Sequence, residues 1–253
     1  MPPSSLRRAV LFFLAAAAVL AAGAPAALVK VDDIVLRADG GFQPQTLPRA
    51  RYAPIEFQGR IDISAKGGGK PSALQEAVID FDRDGRLNVA GLSACRSNQL
   101  GEEGARGVRE TCGGAIVGTG RIEVEVDLNG TLARVGSELT ILNGPPEDGH
   151  PTAILHTRIP APIAQTFVIV VPIERRPGPF RYRATLEIPP IAGGLGALTH
   201  LEVAIGRRYR AGGQERSYVS ARCSDNILET HGRFSFEDGT IIDGVVEKFC
   251  RSK

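Results

Sequence analysis

Residues 166–223 constrain this chain more than any other stretch. Residues 166–173, TFVIVVPI, are almost continuously apolar and β-branched, the pattern of a strand covered on both faces. Pro177-Gly178 predicts a turn. Beyond it Phe180, Tyr182, Ala184, Leu186 and Ile188 alternate with Arg181, Arg183, Thr185 and Glu187, which predicts a strand with one dry and one wet face. Residues 198–206 and 216–223 predict a second hairpin about Ala211-Gly212-Gly213.

The same two-residue period recurs along the chain. In residues 121–128, Ile122, Val124, Val126 and Leu128 oppose Arg121, Glu123, Glu125 and Asp127, and Asn129-Gly130 then predicts a tight hairpin turn. Residues 77–81 and 87–92 flank Asp82-Arg83-Asp84-Gly85, a further hairpin signal, and residues 232–236 and 241–250 flank Asp238-Gly239. About 12 or 13 short strands joined by turn residues predict an all-β, antiparallel fold, a β-sandwich or its barrel-like variant. At most one short helix is expected, around residues 102–111, where Gly104 and Gly107 weaken it. No linker rich in proline, serine or charge interrupts residues 27–253, so they are expected to form a single domain.

Residues 1–26 read differently. Arg7-Arg8 precede fourteen apolar residues, Ala9 to Ala22, and an Ala24-x-Ala26 cleavage pattern follows, the layout of a secretory signal peptide. The apolar run falls short of the ~20 residues of a membrane-spanning helix, so no stable transmembrane segment is expected after cleavage. Cleavage would remove two of the 30 basic residues and leave 28 against 28 acidic ones. A net-neutral, exported chain is a poor candidate for nucleic-acid binding. Four cysteines in an exported chain predict two disulfides; three connectivities are open, and sequence neighbours favour Cys95–Cys112 and Cys223–Cys250.

Several segments carry a resemblance when taken together: GLSAC at 91–95, TC followed by VGTG at 111–120, IPPIAGGLG at 188–196, GRRYR at 206–210, SYVSARC at 217–223 and FEDGT at 236–240. In order and spacing they resemble a family of secreted actinobacterial proteins of unknown function. The resemblance spans roughly residues 77–250 and implies export and paired cysteines. It implies no activity, cofactor or site residue.

Three constellations could carry chemistry. Residues 175–222 hold nine arginines and three glutamates; alternation puts Arg181 and Arg183 on one strand face and Arg216, Tyr218 and Arg222 on another, with Arg207, Arg208 and Arg210 near the hairpin tip, and if these strands are neighbours they form a cationic surface suited to an anionic envelope polymer. Asp80, Asp82, Asp84 and Gly85 match the opening of a calcium loop, but Gly91 stands where the bidentate glutamate belongs. Glu123 and Glu125 share a strand face at a rise of roughly 6.8 Å, within the range of paired glycosidase carboxylates. No metal spacing joins His150, His156, His200 and His231, each expected at a surface or turn, and no G-x-S-x-G elbow is present.

These features predict an exported, disulfide-stabilised, non-catalytic protein without a cofactor. It would be structural or binding, at the cell envelope or outside the cell, with an anionic envelope polymer or another envelope protein as partner. The alternatives are a secreted hydrolase using Glu123, Glu125 or the aspartate loop, and a calcium-dependent binding module. Oligomeric state is not legible in the sequence.

Overall fold

The computed structural model describes residues 26–253; apart from Ala26, the expected signal peptide lies outside the described residues. The chain opens with β1 (Ala27–Val31) and β2 (Ile34–Gln43), then the short β3 (Thr46–Leu47) and β4 (Ala53–Pro54). β5 (Glu56–Ala65), β6 (Leu74–Asp82) and the short β7 (Gly85–Leu87) follow. A helix, α1 (Ala105–Cys112), leads into β8 (Ile116–Leu128), β9 (Thr131–Glu147), β10 (His150–Ile159), β11 (Gln165–Arg175) and β12 (Phe180–Glu187). The chain ends with β13 (Gly196–Ile205), β14 (Arg208–Ala211), β15 (Gln214–Ser217), β16 (Val219–Ala221), β17 (Ile227–Phe236), β18 (Ile241–Phe249) and β19 (Arg251–Ser252).

Twelve of these strands make one antiparallel sheet in the order β1-β2-β5-β13-β8-β9-β10-β11-β12-β6-β17-β18. Its two edges meet. A Cβ placed on Gly244 of β18 would lie 3.8 Å from Val29 of β1, and Lys248 Nζ of β18 lies 2.7 Å from Asp39 Oδ1 of β2. The sheet is therefore nearly closed into a barrel, the second of the two all-β forms expected.

Local chemistry explains the wall. Asn129 and Gly130 take positive φ values of 55° and 84°, and the hairpin they turn pairs Leu128 with Thr131, as an Asn-Gly turn should. Ile122, Val124 and Val126 are buried inward while Arg121, Glu123 and Glu125 face out. At Gly118 and Gly120 of the VGTG segment a Cβ would collide with the carbonyls of Ala204 and Glu202, so the segment lets β8 approach β13 closely. The apolar run at the start of β11 is covered on both sides. Phe167 and Val171 pack in the barrel core, while Val168 and Val170 lie beneath Val108 and Cys112 of α1 and the disulfide-bonded Cys95.

Both disulfides pair sequence neighbours. Cys95–Cys112 and Cys223–Cys250 have Cα separations of 5.6 and 6.0 Å.

Strand partners depart from the hairpins expected. β13 pairs with β5 and β8, whereas Ala211-Gly212-Gly213 turns only the small hairpin of β14 and β15. β16 joins β4 and β7 in a separate three-stranded sheet, so the residues after Asp82-Arg83-Asp84-Gly85 do not fold back on β6. β12 meets β11 over three residue pairs only and runs chiefly beside β6. Alternation reports which face of a strand is dry; it carries no record of which strand lies alongside.

Candidate functional site

The interior of the barrel is not filled. A cavity of about 310 Å³ lies between its walls. Phe57 and Ile61 of β5, Leu201 and Val203 of β13, and Ile79 and Phe81 of β6 line it. These side chains sit on inward positions of their strands, yet each is only half-buried. β5 and β6 belong to opposite walls, and the Phe57 and Phe81 rings meet edge to face with centroids 5.6 Å apart. The barrel is thus pinched at that level.

The three-stranded sheet of β4, β16 and β7 covers the space at one end through Leu87 and Val219. Tyr218 also lines the space. Its residue is 3 % exposed, and burial pushes the phenol well above the usual tyrosine range.

The wall is unzipped between β2 and β18. β1 pairs with β2 only from Ile34 to Ala38, so the stretch of β2 from Asp39 onward has no strand ladder on its outer edge. Across from it stands the end of β18. The cavity lining extends to both sides of this slot, through Asp39, Gly40 and Gly41 on one strand and Gly244, Val246 and Lys248 on the other. The Lys248–Asp39 ion pair spans it. Burial would raise the Asp39 carboxyl, but the Lys248 ammonium and the Gly40 N–H outweigh it and hold the group below its ordinary value.

The arginines singled out from the sequence divide into groups. Arg181 and Arg222, together with Arg86, hold their guanidinium carbons 5.4–5.6 Å from the centre of the Tyr52 ring, an arrangement in which the ring's negative face attracts each cation. Arg222 also donates Nε to Asp84 at 2.7 Å. Arg183 forks onto both oxygens of Asp80 at 2.7 Å. Arg207 donates to the Ile116 carbonyl and Arg216 to that of Ala90. Arg208 and Arg210 lie on β14, where the side chain of Arg210 is 82 % exposed. Tyr218 faces the cavity, away from the arginines of its own segment.

The three aspartates of the calcium-like loop each bond to protein donors. Asp80 takes the Arg183 fork and a contact from His231, Asp82 accepts the N–H groups of Asp84 and Glu229, and Asp84 accepts Arg222 and the Ser224 N–H. Among the described residues no group of three or more His, Cys, Asp and Glu side chains is placed to hold a metal ion. Glu123 and Glu125 lie on the outer face of β8, paired with Arg121 and Arg134. They share a shallow charged depression with Arg60, Asp62 and His200. His156 departs from the surface position expected: it is 1 % exposed, its Nε2 3.3 Å from the Gly101 carbonyl under the loop that precedes α1.

The buried carboxylates set the acid limit of the fold. The Arg183 bonds, working against burial, hold Asp80 below the ordinary carboxylate value of 3.8. At Asp84 burial acts to raise the value, but the Ser224 and Arg222 bonds together outweigh it. A carboxylate depressed in the folded state contributes stability that is present above its unfolded pKa and lost as pH falls through the folded one. Unfolding is therefore expected to set in below about pH 4. Asp80→Ala should lower stability at neutral pH by about 2–3 kcal/mol and flatten the acid limb, both read from urea midpoints across pH.

No family model, curated protein or solved structure matches the chain.

Proposed function

We propose that this chain is an exported binding protein that holds an apolar small molecule inside its barrel, at the cell envelope or outside the cell. The observation that carries the reading is the unfilled interior. Protein cores are close-packed, with few voids larger than a water molecule, and an apolar void costs about 24 cal/mol per Å³. The side chains that line this space of about 310 Å³ lack partner atoms on one side, and lose the packing that those atoms would give. An apolar ligand in the cavity offsets that cost.

The size supports the same reading. The cavity has roughly twice the volume of an engineered apolar cavity of about 150 Å³ that takes up benzene. Two disulfides suit an oxidising compartment. Among the described residues no helix is long and apolar enough to cross a membrane.

A neutral fluorescent probe tests the proposal. N-phenyl-1-naphthylamine brightens in apolar surroundings, and the chain's lack of tryptophan keeps the background low. Saturable binding with a stoichiometry near one is expected. Absence of saturable binding by the native protein would remove the reading.

A further inference from the structure

The slot in the barrel wall gives the ligand a second property, on the premise that the cavity is the binding site. In β18, Ile242 is buried, Gly244, Val246 and Lys248 are half-buried, and Ile241, Asp243, Val245, Glu247 and Phe249 are exposed. The two-residue period therefore puts Lys248 on the inward face with Ile242 and Val246. In β2 the inward residues are Ile34, Leu36 and Phe42, with Ala38 between them, so Asp39 belongs to the outward set with Arg37. The two partners of the ion pair are thus not equivalent. The ammonium rises from the cavity side, where its side chain is 22 % exposed, and the carboxylate comes from the outer side, at 45 %.

A molecule whose tail lies among Ile61, Val203 and Val246 meets a positive charge first on its way out through the slot. Arg60 of β5 stands opposite Asp39, but its guanidinium forks onto both oxygens of Asp62 on the outer face, so that pair is close to neutral and Lys248 is the cation that faces the slot from within. In the closed wall Asp39 is an ion-pair partner of Lys248.

We infer that the cavity takes a single-chain amphiphile with an anionic head, whose head group replaces Asp39 as the partner of Lys248 while its chain occupies the barrel. The head can be a carboxylate or a phosphate ester, since an ammonium is a point charge without the planar preference of a guanidinium. Exchange of one anion for another at Lys248 avoids leaving a half-buried charge unpaired, the situation that makes such sites expensive to empty. Asp39, being nearer solvent, can turn to water.

Displacement of bound N-phenyl-1-naphthylamine tests this. Dodecanoate, dodecyl phosphate, dodecanol and dodecylamine are compared below their micellar concentrations at neutral pH. Both anions are expected to displace the probe at concentrations about tenfold or more below the alcohol, with the amine weakest, as charge-assisted pairing at a partly desolvated site implies. A phosphate ester far ahead of the carboxylate would identify the head as phosphate; equal anions would leave charge alone as the criterion. In Lys248→Met the ratio of acid to alcohol should shrink to about twofold, and Lys248→Arg should restore most of it. Equal displacement by acid, alcohol and amine from the native protein, with the probe still bound, would overturn the anionic-head inference and leave the cavity reading intact. Preference for the amine would overturn it too, by giving the recognition to Asp39. Failure of the probe itself to bind would remove both.

Discussion

Replacing Ala38 and Val203 together by phenylalanine should lower affinity for N-phenyl-1-naphthylamine by about a hundredfold or more, because a ligand pocket loses its occupant when side chains fill it. Both residues line the cavity, and they come from neighbouring parts of the wall: Ala38 pairs with Ile61, and Val203 pairs with Gly59 two residues away. The new rings enter space that is already there. Overpacking costs of about 1–3 kcal/mol apply to cores that are full; here the melting temperature should hold or rise. A loss of binding with a retained melting temperature would locate the probe in the barrel. Retained binding would locate it elsewhere, and the exposed Leu28, Val245 and Phe249 would be the next surface to examine.

The second large effect is expected at Cys223–Cys250. The bridge spans 27 residues, a loop that contains β17 and β18, and the chain-entropy model assigns it about 3–4 kcal/mol. For a domain of this size that corresponds to roughly 7–14 °C in Tm. Cys223 and Cys250 are buried with Phe42, Leu47 and Ala221, so the bond fastens the last wall strand to the end cap. A Cys223→Ala/Cys250→Ala protein, scanned beside the native one, should show the full shift. It should also bind the neutral probe less tightly, because β18 forms one side of the slot. Loss of Cys95–Cys112, which ties α1 to the outside of the barrel, should leave probe binding unchanged while costing stability. Equal effects of the two bridges on binding would contradict the assignment of the slot to β18.

Much of the architecture was legible because strand periodicity reports burial directly. Residues 121–128 are the clearest case: the alternation, the Asn-Gly turn and the inward set Ile122, Val124 and Val126 agree with β8 and β9, whereas Leu128, at the turn end of the strand, is exposed. The run TFVIVVPI was legible as a two-sided strand, although nothing local says that its second cover is a helix. Partners were not legible. Ala211-Gly212-Gly213 turns β14 onto β15, but β13 and β16, which flank that hairpin, pair with segments more than fifty residues away, as do β6 and β7 on either side of Asp82-Arg83-Asp84-Gly85. Such pairing is decided by the whole sheet.

The cavity was illegible for a different reason. Ile61 and Val124 obey the same alternation, yet Ile61 lines the cavity and is half-buried while Val124 is fully buried. A hydrophobic pattern records which side chains avoid water and says nothing of the volume left among them. A signal for the slot did exist. Lys248 falls on the apolar phase of the strand that begins Ile241-Ile242, where a charge is out of place unless something pairs with it. His156 sits on the outward face of β10 and was missed because its cover, the loop before α1, is remote in sequence.

The unzipped wall has a kinetic consequence. Ten of the twelve sheet strands have a hydrogen-bonded neighbour on each side, whereas β1 and β18 have one each. Separating those two edges breaks side-chain contacts and an ion pair but no backbone ladder. In hydrogen exchange, amides of β18 that point toward β1 should therefore go first, well ahead of those in β8 and β9. A molecule leaving by this route would wait for side chains to part, a motion of microseconds to milliseconds, while every backbone ladder of the wall stays in place.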